Sequence, residues 1–473
     1  MSVAIVWFRH DLRLADNPAL ASACAEYTKV IPLYVYDSNS TSSWAHGGAS
    51  RWWLDHSLRR FSASLAKLGT KLVIANGKPY DVITQLVKKH KIGAVHWNRV
   101  YEPDAIERDR KIKKSLRERD VEVNSFNAAL INEPWAIENL SNKPYRVFTP
   151  YWKKCLVNGI DVPLISAPSS IPAIPKGVKG VSIKSLELID PIPWHADFGR
   201  YWTPGEEGAY AALDEFLDGV VDDYDLGRDL PAKAGTSRIS PHLHFGEISP
   251  RQVVSAVRRE ARSENDAARF LSEIGWREFA HHLLYHFPHT VDSPLNEKFA
   301  KFPWRRSYKK DLRCWQQGQT GIPLVDAGMR ELWQTGWMHN RVRMIVASFL
   351  IKNLRIHWIE GAKWFWDTLV DADLASNSMG WQWCAGSGAD ASPYFRIFNP
   401  VTQGERFDKQ GVYVRKWVPE IAALPDKYLH KPAMAPASVL LEAGIELGKD
   451  YPSPIVDLKT SREVALNAYK RIK

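Results

Sequence analysis

Cysteine is scarce: Cys24, Cys155, Cys314 and Cys384 are the only four in 473 residues. None forms a CxxC pair, which argues against a disulfide framework and against a zinc site, and no metal centre is expected. Long apolar runs are missing as well. No stretch offers the ~18 uninterrupted apolar residues of a membrane span, so no membrane association is expected. The opening MSVAIVWFRHDLR lacks the basic region, apolar core and small-residue cleavage site of a signal peptide. Together these absences predict a reducing, cytoplasmic setting. The turn after the first apolar run reads RHDLRLADN and contains no GxGxxG, which excludes a standard dinucleotide fingerprint. Internal repeats and low-complexity tails are absent too.

What is present has the balance of an ordinary globular protein, 45% hydrophobic and 25% charged residues. The length predicts two or three domains. A net charge of +10 and a pI of about 9.2 point to a polyanionic partner. The charge is unevenly spread. Glu206 to Asp229 is acidic, whereas Lys298, Lys301, Arg305, Arg306, Lys309, Lys310 and Arg313 face only Asp311 in their stretch. A run of like charge is often a plain solvated face. Here it lies among tryptophans, and cations for phosphates beside rings for bases are what a nucleic-acid surface needs.

Strand-length apolar runs at 3–8, 29–36, 71–75, 92–97 and 121–126 alternate with helical stretches near 49–68, 79–91 and 103–119. Asn17-Pro18 reads as an N-cap and first-turn proline opening another helix. This alternation predicts an α/β domain over residues 1–130, a doubly wound five-stranded parallel sheet. A ligand there belongs at the carboxyl ends of the strands, near Arg9, Asp37, Arg51 and Glu102. Residues 131–205 are crowded with proline and read as an extended interdomain connector, parts of which pack on a domain through Trp135, Tyr145, Phe148, Tyr151 and Trp152. From 206 to 473 helical periodicity takes over, with candidate helices at 207–219, 250–261, 265–287, 323–335, 338–354 and 361–370, and the second domain is expected to be all-α.

Within it, Trp276 to Trp383 holds ten of the chain's twenty tryptophans. A helical core also gathers tryptophan. A core does not require Asn340, Arg341, Arg343, Asp371, Asp373 and Asn377 beside them, because unpaired buried polar groups cost roughly 1–3 kcal/mol each. A planar ligand held by stacking and a few placed polar groups fits this mixture, mutual salt bridges being the other way to satisfy it. Thr236, Ser237, Arg238 and Ser240 precede a helix and form an anion pocket or a plain cap. Glu273, Trp276 and Arg277, spaced i, i+3, i+4, share a helix face, as do Asn340 and Met344. Arg343 has Asp371 and Asp373 available to pair with.

The stretches VWFRHDLRLADN, GTSRIS, WREF, TGIPLVDAGMREL, TGWMHNRVRM, DADLASN, GWQW and PYFRIFNP, in this order, resemble the DNA photolyase/cryptochrome family. The resemblance is nearest to the bacterial class I cyclobutane pyrimidine dimer photolyases and covers most of the chain. It implies an α/β antenna domain, a connector and a helical catalytic domain that binds FAD and DNA. It implies that Tyr224, Thr236, Ser237, Arg238, Ile239 and Ser240 hold the FAD phosphates and ribityl chain. Arg277, Trp337, Asn340, Arg343, Asp371, Asp373 and Asn377 would line the rest, Asn377 at the redox-active ring nitrogen and Arg343 paired with Asp371. Glu273, Trp276, Asn340, Met344 and Trp383 would receive a flipped-out lesion, and Trp381, Trp358 and Trp304 would carry electrons between flavin and surface.

The implied reaction is light-driven electron transfer from reduced FAD to a cyclobutane pyrimidine dimer in UV-damaged DNA, which splits the ring. The protein is expected to be a monomer without an obligate protein partner. A second, antenna chromophore is also implied. Family members that use folate often carry an Asn-Glu pair where this chain has Asp104 and Ala105, and a Lys where His289–Ser293 has none. A folate held in that manner is not expected; deazaflavin, FMN or a folate bound deeper by the strand ends stays open. Two rival readings remain. A cryptochrome-type photoreceptor shares fold and FAD but commonly adds a tail, which the stop at Lys473 does not favour. A nucleic-acid-binding module without chemistry would explain the basic run but not Asp371, Asp373 and Asn377.

Overall fold

The computed structural model describes residues 3–473. Their contacts group into two compact units. One holds the chain up to Pro193 together with Trp202–Asp222 and Ser237–Pro288; the other holds Trp194–Tyr201, Asp223–Thr236 and His289–Lys473.

The first unit is built on the expected alternation: β1 (Val3–Phe8), α1 (Pro18–Glu26), β2 (Lys29–Tyr36), α2 (Gly48–Lys67), β3 (Val73–Asn76), α3 (Pro79–His90), β4 (Ala94–Asn98), α4 (Pro103–Arg117) and β5 (Glu122–Phe126). The strands lie in the order β3-β2-β1-β4-β5, every pair parallel. Central β1 is buried at all its positions, as a parallel strand covered on both faces must be. Ile5 lies level with Ile31 and Val95, and Trp7 meets Trp97 edge-on at 5.8 Å in the same core. Because β2 and β4 flank β1 on opposite sides, the crevice for ligands opens at the carboxyl ends of β1 and β4.

The loop after β1 is committed to structure. Asp11 accepts the Arg9 backbone N–H and the Asn98 side-chain amide, both at 2.6 Å. The fully buried Arg13 donates to the carbonyls of Ala15, Gly246, Asp16 and Ala128 at 2.7–3.0 Å. Asn17 caps α1 by accepting the Leu20 N–H at 3.1 Å. Gly246 has φ of +64°, and a Cβ there would stand 2.1 Å from the His10 carbonyl, so only glycine fits. The proline-rich stretch is likewise held down. It contains the helix Phe148–Asn158, which buries Phe148, Tyr151, Trp152 and Cys155. Further along, Val181 donates to the Ile74 carbonyl at 2.8 Å, and Asp16 to that of Ile165 at 2.7 Å.

Two longer helices complete this unit. Pro250–Glu260 opens with a reciprocal capping box between Ser249 and Gln252. Glu264–His286 is capped by Ser263, carries Glu264 and Asp266 in its first turn and ends on His286, a charge order that suits the helix dipole.

The second unit is helical. Pro323–Thr335, Asn340–Ser348, Trp358–Thr368, Leu374–Ala385 and Leu458–Lys470 are its main elements. The single helix expected over 338–354 is regular only to Ser348 and widens into a π-helical turn over Phe349–Asn353. Lys352, within that turn, is fully buried and donates to the Arg396 carbonyl at 3.1 Å, while Asn353 donates to the Ser461 hydroxyl at 2.9 Å. The helix expected from 361 starts earlier, at Trp358, because the His357 ring accepts the Ile359 N–H at 3.2 Å and caps it. Among the described residues no helix is long and apolar enough to cross a membrane.

Candidate active site

In the helical unit, the start of the Asn340–Ser348 helix sets the first group of side chains. His339 is its N-cap: the ring accepts the Arg341 N–H at 3.2 Å, and its own backbone N–H donates to Glu331 at 3.3 Å. Burial pushes the His339 pKa down to about 4, so the imidazole is neutral at physiological pH. Asn340 follows at the first helical position with its side chain exposed, and Met344 lies one turn on, half-buried. Arg341 turns away to pair with Asp229 at 2.5 Å and stacks over Phe407.

Arg343 joins two segments. Its Nε donates to the Met338 carbonyl at 2.7 Å, and its Nη2 donates to both Asp371 oxygens at 2.8 and 3.1 Å. The expected pair is therefore formed, with the Asp371 carboxylate nearly buried at 4% exposure and the guanidinium 5.8 Å over the Trp337 ring. Asp373 takes a different task from Asp371. It caps Leu374–Ala385 by accepting the Ser376 N–H at 2.8 Å. One turn on, Asn377 is oriented by donating to the Ala362 carbonyl at 3.0 Å, which leaves its oxygen and its second N–H for another partner.

Behind these lie the aromatic residues. Trp381 is buried against Phe365 at 5.0 Å and Trp315 at 6.3 Å, both edge-on. It fits there because residue 361 is glycine: a Cβ at that position would come within 2.0 Å of the Trp381 ring. Trp358 is buried on the facing helix. His357 links it to Trp304, with ring centroids 5.7 Å from Trp358 and 4.8 Å from Trp304. Trp383 is half-buried. Trp315, whose Nε1 donates to the Val346 carbonyl, and His357 were missed in the sequence reading; their only signal was their place in the tryptophan-rich window.

The expected phosphate-binding stretch divides at the boundary of the two units, Thr236 belonging to the helical one and Ser237 to the other. On the helical side Tyr224 is buried with the Arg228 guanidinium 5.3 Å over its ring. Gly235 runs so close to Gly227 that a Cβ would stand 2.4 Å from the Gly227 carbonyl. In the first unit, Arg238 has φ of +51°, a left-handed conformation uncommon outside glycine, and its guanidinium stacks 4.3 Å over Trp202. Ile239 is buried, and Ser240 opens a short helix with its side chain exposed.

Glu273, Trp276 and Arg277 share one face of Glu264–His286. Phe148 takes one face of the Trp276 ring, stacked at 3.8 Å. Glu273 and Trp276 are half-buried. Arg277 is occupied by the backbone: it donates to the carbonyls of Ala129 at 2.7 Å and Leu243 at 3.5 Å. Of the basic run, Arg305 is tied to Asp311 at 2.5 Å, whereas Lys298, Lys301, Arg306, Lys309, Lys310 and Arg313 are exposed. At the carboxyl end of β1, His10 packs on His244 at 4.6 Å and lies 3.6 Å from Glu102, while Arg51 reaches Asp190 at 3.8 Å. Arg9, also expected there, pairs instead with Asp109 and stacks over Trp7.

Comparison with known sequences and structures matches these regions to two family models: "DNA photolyase" over residues 4–169 and "FAD binding domain of DNA photolyase" over residues 270–471. A deoxyribodipyrimidine photo-lyase of Agrobacterium fabrum is 50% identical over 99% of this chain and 98% of its own length. Cryptochrome-2 of Arabidopsis thaliana is 40% identical over 99% of this chain and 78% of its own. The crystal structure of a bacterial class III photolyase from Agrobacterium tumefaciens superposes with a TM-score of 0.95 at 49% identity, covering 100% of this chain and 98% of that one. The chain belongs to the DNA photolyase family.

Glu278, next to Arg277, is buried, and its Oε2 accepts the N–H groups of Ile131 and Asn132 at 2.9 and 3.0 Å. Burial pushes its pKa up to about 7, opposed by Arg277 and those two N–H groups. A carboxyl whose folded pKa is raised is neutral in the fold while already ionised in the unfolded chain. Stability should therefore fall as pH rises from its ordinary value of 4.5 through about 7. Glu278→Gln removes that titration. Urea unfolding at pH 5 and pH 8 should show the variant gaining on the wild type by about 1–3 kcal/mol at the higher pH. An equal difference at both pH values would mean that the group ionises alike in both states.

Proposed function

We propose that this protein is a light-driven DNA repair enzyme that splits cyclobutane pyrimidine dimers. The reading is supported by family membership over the whole chain, and the observation that carries the choice of lesion is His339. Relatives that repair the (6-4) photoproduct carry histidine at the positions matching Asn340 and Met344 and use it for proton transfer. Here the adjacent histidine is buried as a helix cap and held neutral, while Asn340 and Met344 have no acid to offer near neutral pH. A dimer whose ring opens by electron transfer alone needs none.

The residues fit FAD in kind. Asn377 keeps a carboxamide oxygen and an N–H for a ligand, the hydroxyl of the neighbouring Ser378 is buried without a hydrogen-bond partner, and Arg343 with Asp371 offers a fixed pair of charges. Tyr224, Thr236, Ser237, Arg238, Ile239 and Ser240 would hold the phosphates and ribityl chain. Trp337, Asn340, Arg343, Asp371, Asp373 and Asn377 would line the rest, and Arg277 would act through the backbone that it clamps. Bound reduced FAD supplies the light-excited electron that opens the cyclobutane ring. Glu273 accepts hydrogen bonds from the lesion's polar edge, Trp276 and Trp383 stack on it, and Met344 packs against it as a soft apolar surface. A dimer is already poorly stacked, which lowers the cost of extruding it. Trp381, Trp358 and Trp304 conduct charge toward the surface, and the exposed cations of 298–313 hold phosphates of the DNA.

In this reading residues 1–130 are the antenna domain, 131–205 the connector and 206–473 the catalytic domain. A folate, deazaflavin or FMN would sit at the carboxyl ends of the strands, beside His10, Arg51 and Glu102. The protein acts as a cytoplasmic monomer, and the 49% identity to a bacterial class III photolyase supports that subclass over the class I expected from the sequence.

Illuminating the reduced protein with oligonucleotides bearing one lesion or the other should restore thymine absorbance from the cyclobutane dimer and leave the (6-4) product unchanged. Efficient repair of the (6-4) substrate would overturn the lesion assignment, and repair of neither would move the protein to the photoreceptor reading that its similarity to Cryptochrome-2 makes specific. Trp381→Phe should slow light-driven reduction of oxidised FAD by at least about tenfold, a barrier increase of ~1.4 kcal/mol. Repair by chemically reduced protein should be spared, and an unchanged photoreduction rate would remove Trp381 from the charge path.

A further inference from the structure

On the β5 edge of the sheet, apart from every residue assigned above, Glu26, His96 and Glu122 each bring one ligand atom within 4.8 Å of the others. They come from the last turn of α1, the middle of β4 and the start of β5. The strand register accounts for the meeting. Ala94 lies level with Glu122 and His96 with Asn124, so His96, Glu122 and Asn124 project from one face of the sheet. Tyr27, just past α1, lies against that face with its ring edge-on to His96 at 5.5 Å.

The carboxylates are already oriented. Glu122 accepts from the Tyr27 hydroxyl and from the Asn124 amide, both at 2.7 Å, and Glu26 accepts from the Ser22 hydroxyl at 2.7 Å. Each carboxylate oxygen has a second lone pair, so these bonds leave room for a further partner. His96 is fully buried in a strand; the Ala19 backbone on α1 engages its ring, while its Nε2, the nitrogen beside Asn124, has only a 3.4 Å approach from that amide.

We propose that Glu26, His96 and Glu122 form a binding site for a divalent transition-metal ion of the zinc type. Two carboxylates balance the charge of such an ion, and the imidazole nitrogen selects it over magnesium or calcium, which favour oxygen alone. One nitrogen and two carboxylate ligands leave the fourth tetrahedral position to water. Ligand atoms on a common zinc ion lie roughly 3.5 Å apart, given bonds of about 2.0–2.2 Å. The two exposed glutamates can close that gap by side-chain rotation. Ser22, Tyr27 and Asn124 then serve as the outer hydrogen bonds that orient first ligands in such sites. A bound ion would fasten the end of α1 across β4 and β5 and cover part of the sheet's open edge.

The test uses the full-length protein stripped with a chelator and titrated with Zn²⁺ by calorimetry and with Co²⁺ by visible absorption. One ion per chain should bind, and zinc should raise the thermal midpoint. Glu26→Gln and Glu122→Gln, both at exposed positions, should each weaken binding by about tenfold or more. Neither should shift the metal-free midpoint. His96→Gln should abolish binding; if that buried substitution prevents folding, the two glutamate variants decide the matter. Absence of stoichiometric uptake, uptake unchanged in both glutamate variants, or displacement of zinc by millimolar magnesium would each overturn the proposal.

Discussion

The helical unit depends on one ion pair. Arg343 leaves its helix to hold the Met338 carbonyl with one nitrogen and both oxygens of Asp371 with another. It thereby ties the start of Asn340–Ser348 to the turn that precedes Leu374–Ala385. Removing one partner of a fully buried pair costs roughly 3–5 kcal/mol, because the survivor keeps its desolvation without its counter-charge. Asp371 is 4% exposed and Arg343 24%, so the penalty here falls somewhat short of that range. What the pair secures is register more than net stability. Asn340 and Met344 on one helix, and Asn377 and Trp381 on the other, derive their relative placement from it.

Helix starts supply most of the remaining precision. His339 and Asp373 both cap the helices that carry the polar residues, and both use side chains that could otherwise have served as acids or ligands. The cap on His339 has a chemical consequence, since burial there keeps the imidazole neutral. Gly361 has the opposite role: by contributing no side chain it leaves room for the outer edge of the Trp381 indole against the neighbouring helix. Side chains held by caps and packing in this way suit a reaction in which the protein orients a cofactor and a substrate and the cofactor does the chemistry.

Much of this was legible in the sequence, for identifiable reasons. A buried parallel strand such as VAIVWF has no polar position to hide it, so all five strands were found. The i, i+3, i+4 spacing of Glu273, Trp276 and Arg277 survives folding because a long capped helix preserves it. Other features were illegible because they rest on contacts between distant segments. Arg13 reads as a surface charge until Gly246 and Ala128, more than a hundred residues away, supply its carbonyls. Asp373 looks like a twin of Asp371, and only the backbone of Ser376 shows it to be a cap. The π-helical turn at Phe349–Asn353 lies inside an unbroken helical pattern and shows only where Lys352 and Asn353 find partners on other segments.

If Arg343 and Asp371 act as one unit in shaping the flavin site, their effects on FAD must be coupled. The decisive measurement is the FAD affinity of Arg343→Met, Asp371→Asn and the double variant, each checked for folding by circular dichroism. Each single substitution should weaken FAD binding about tenfold, ~1.4 kcal/mol, and the double variant should be no weaker than the worse single one. Additive losses, or full FAD affinity in either single variant, would contradict the account.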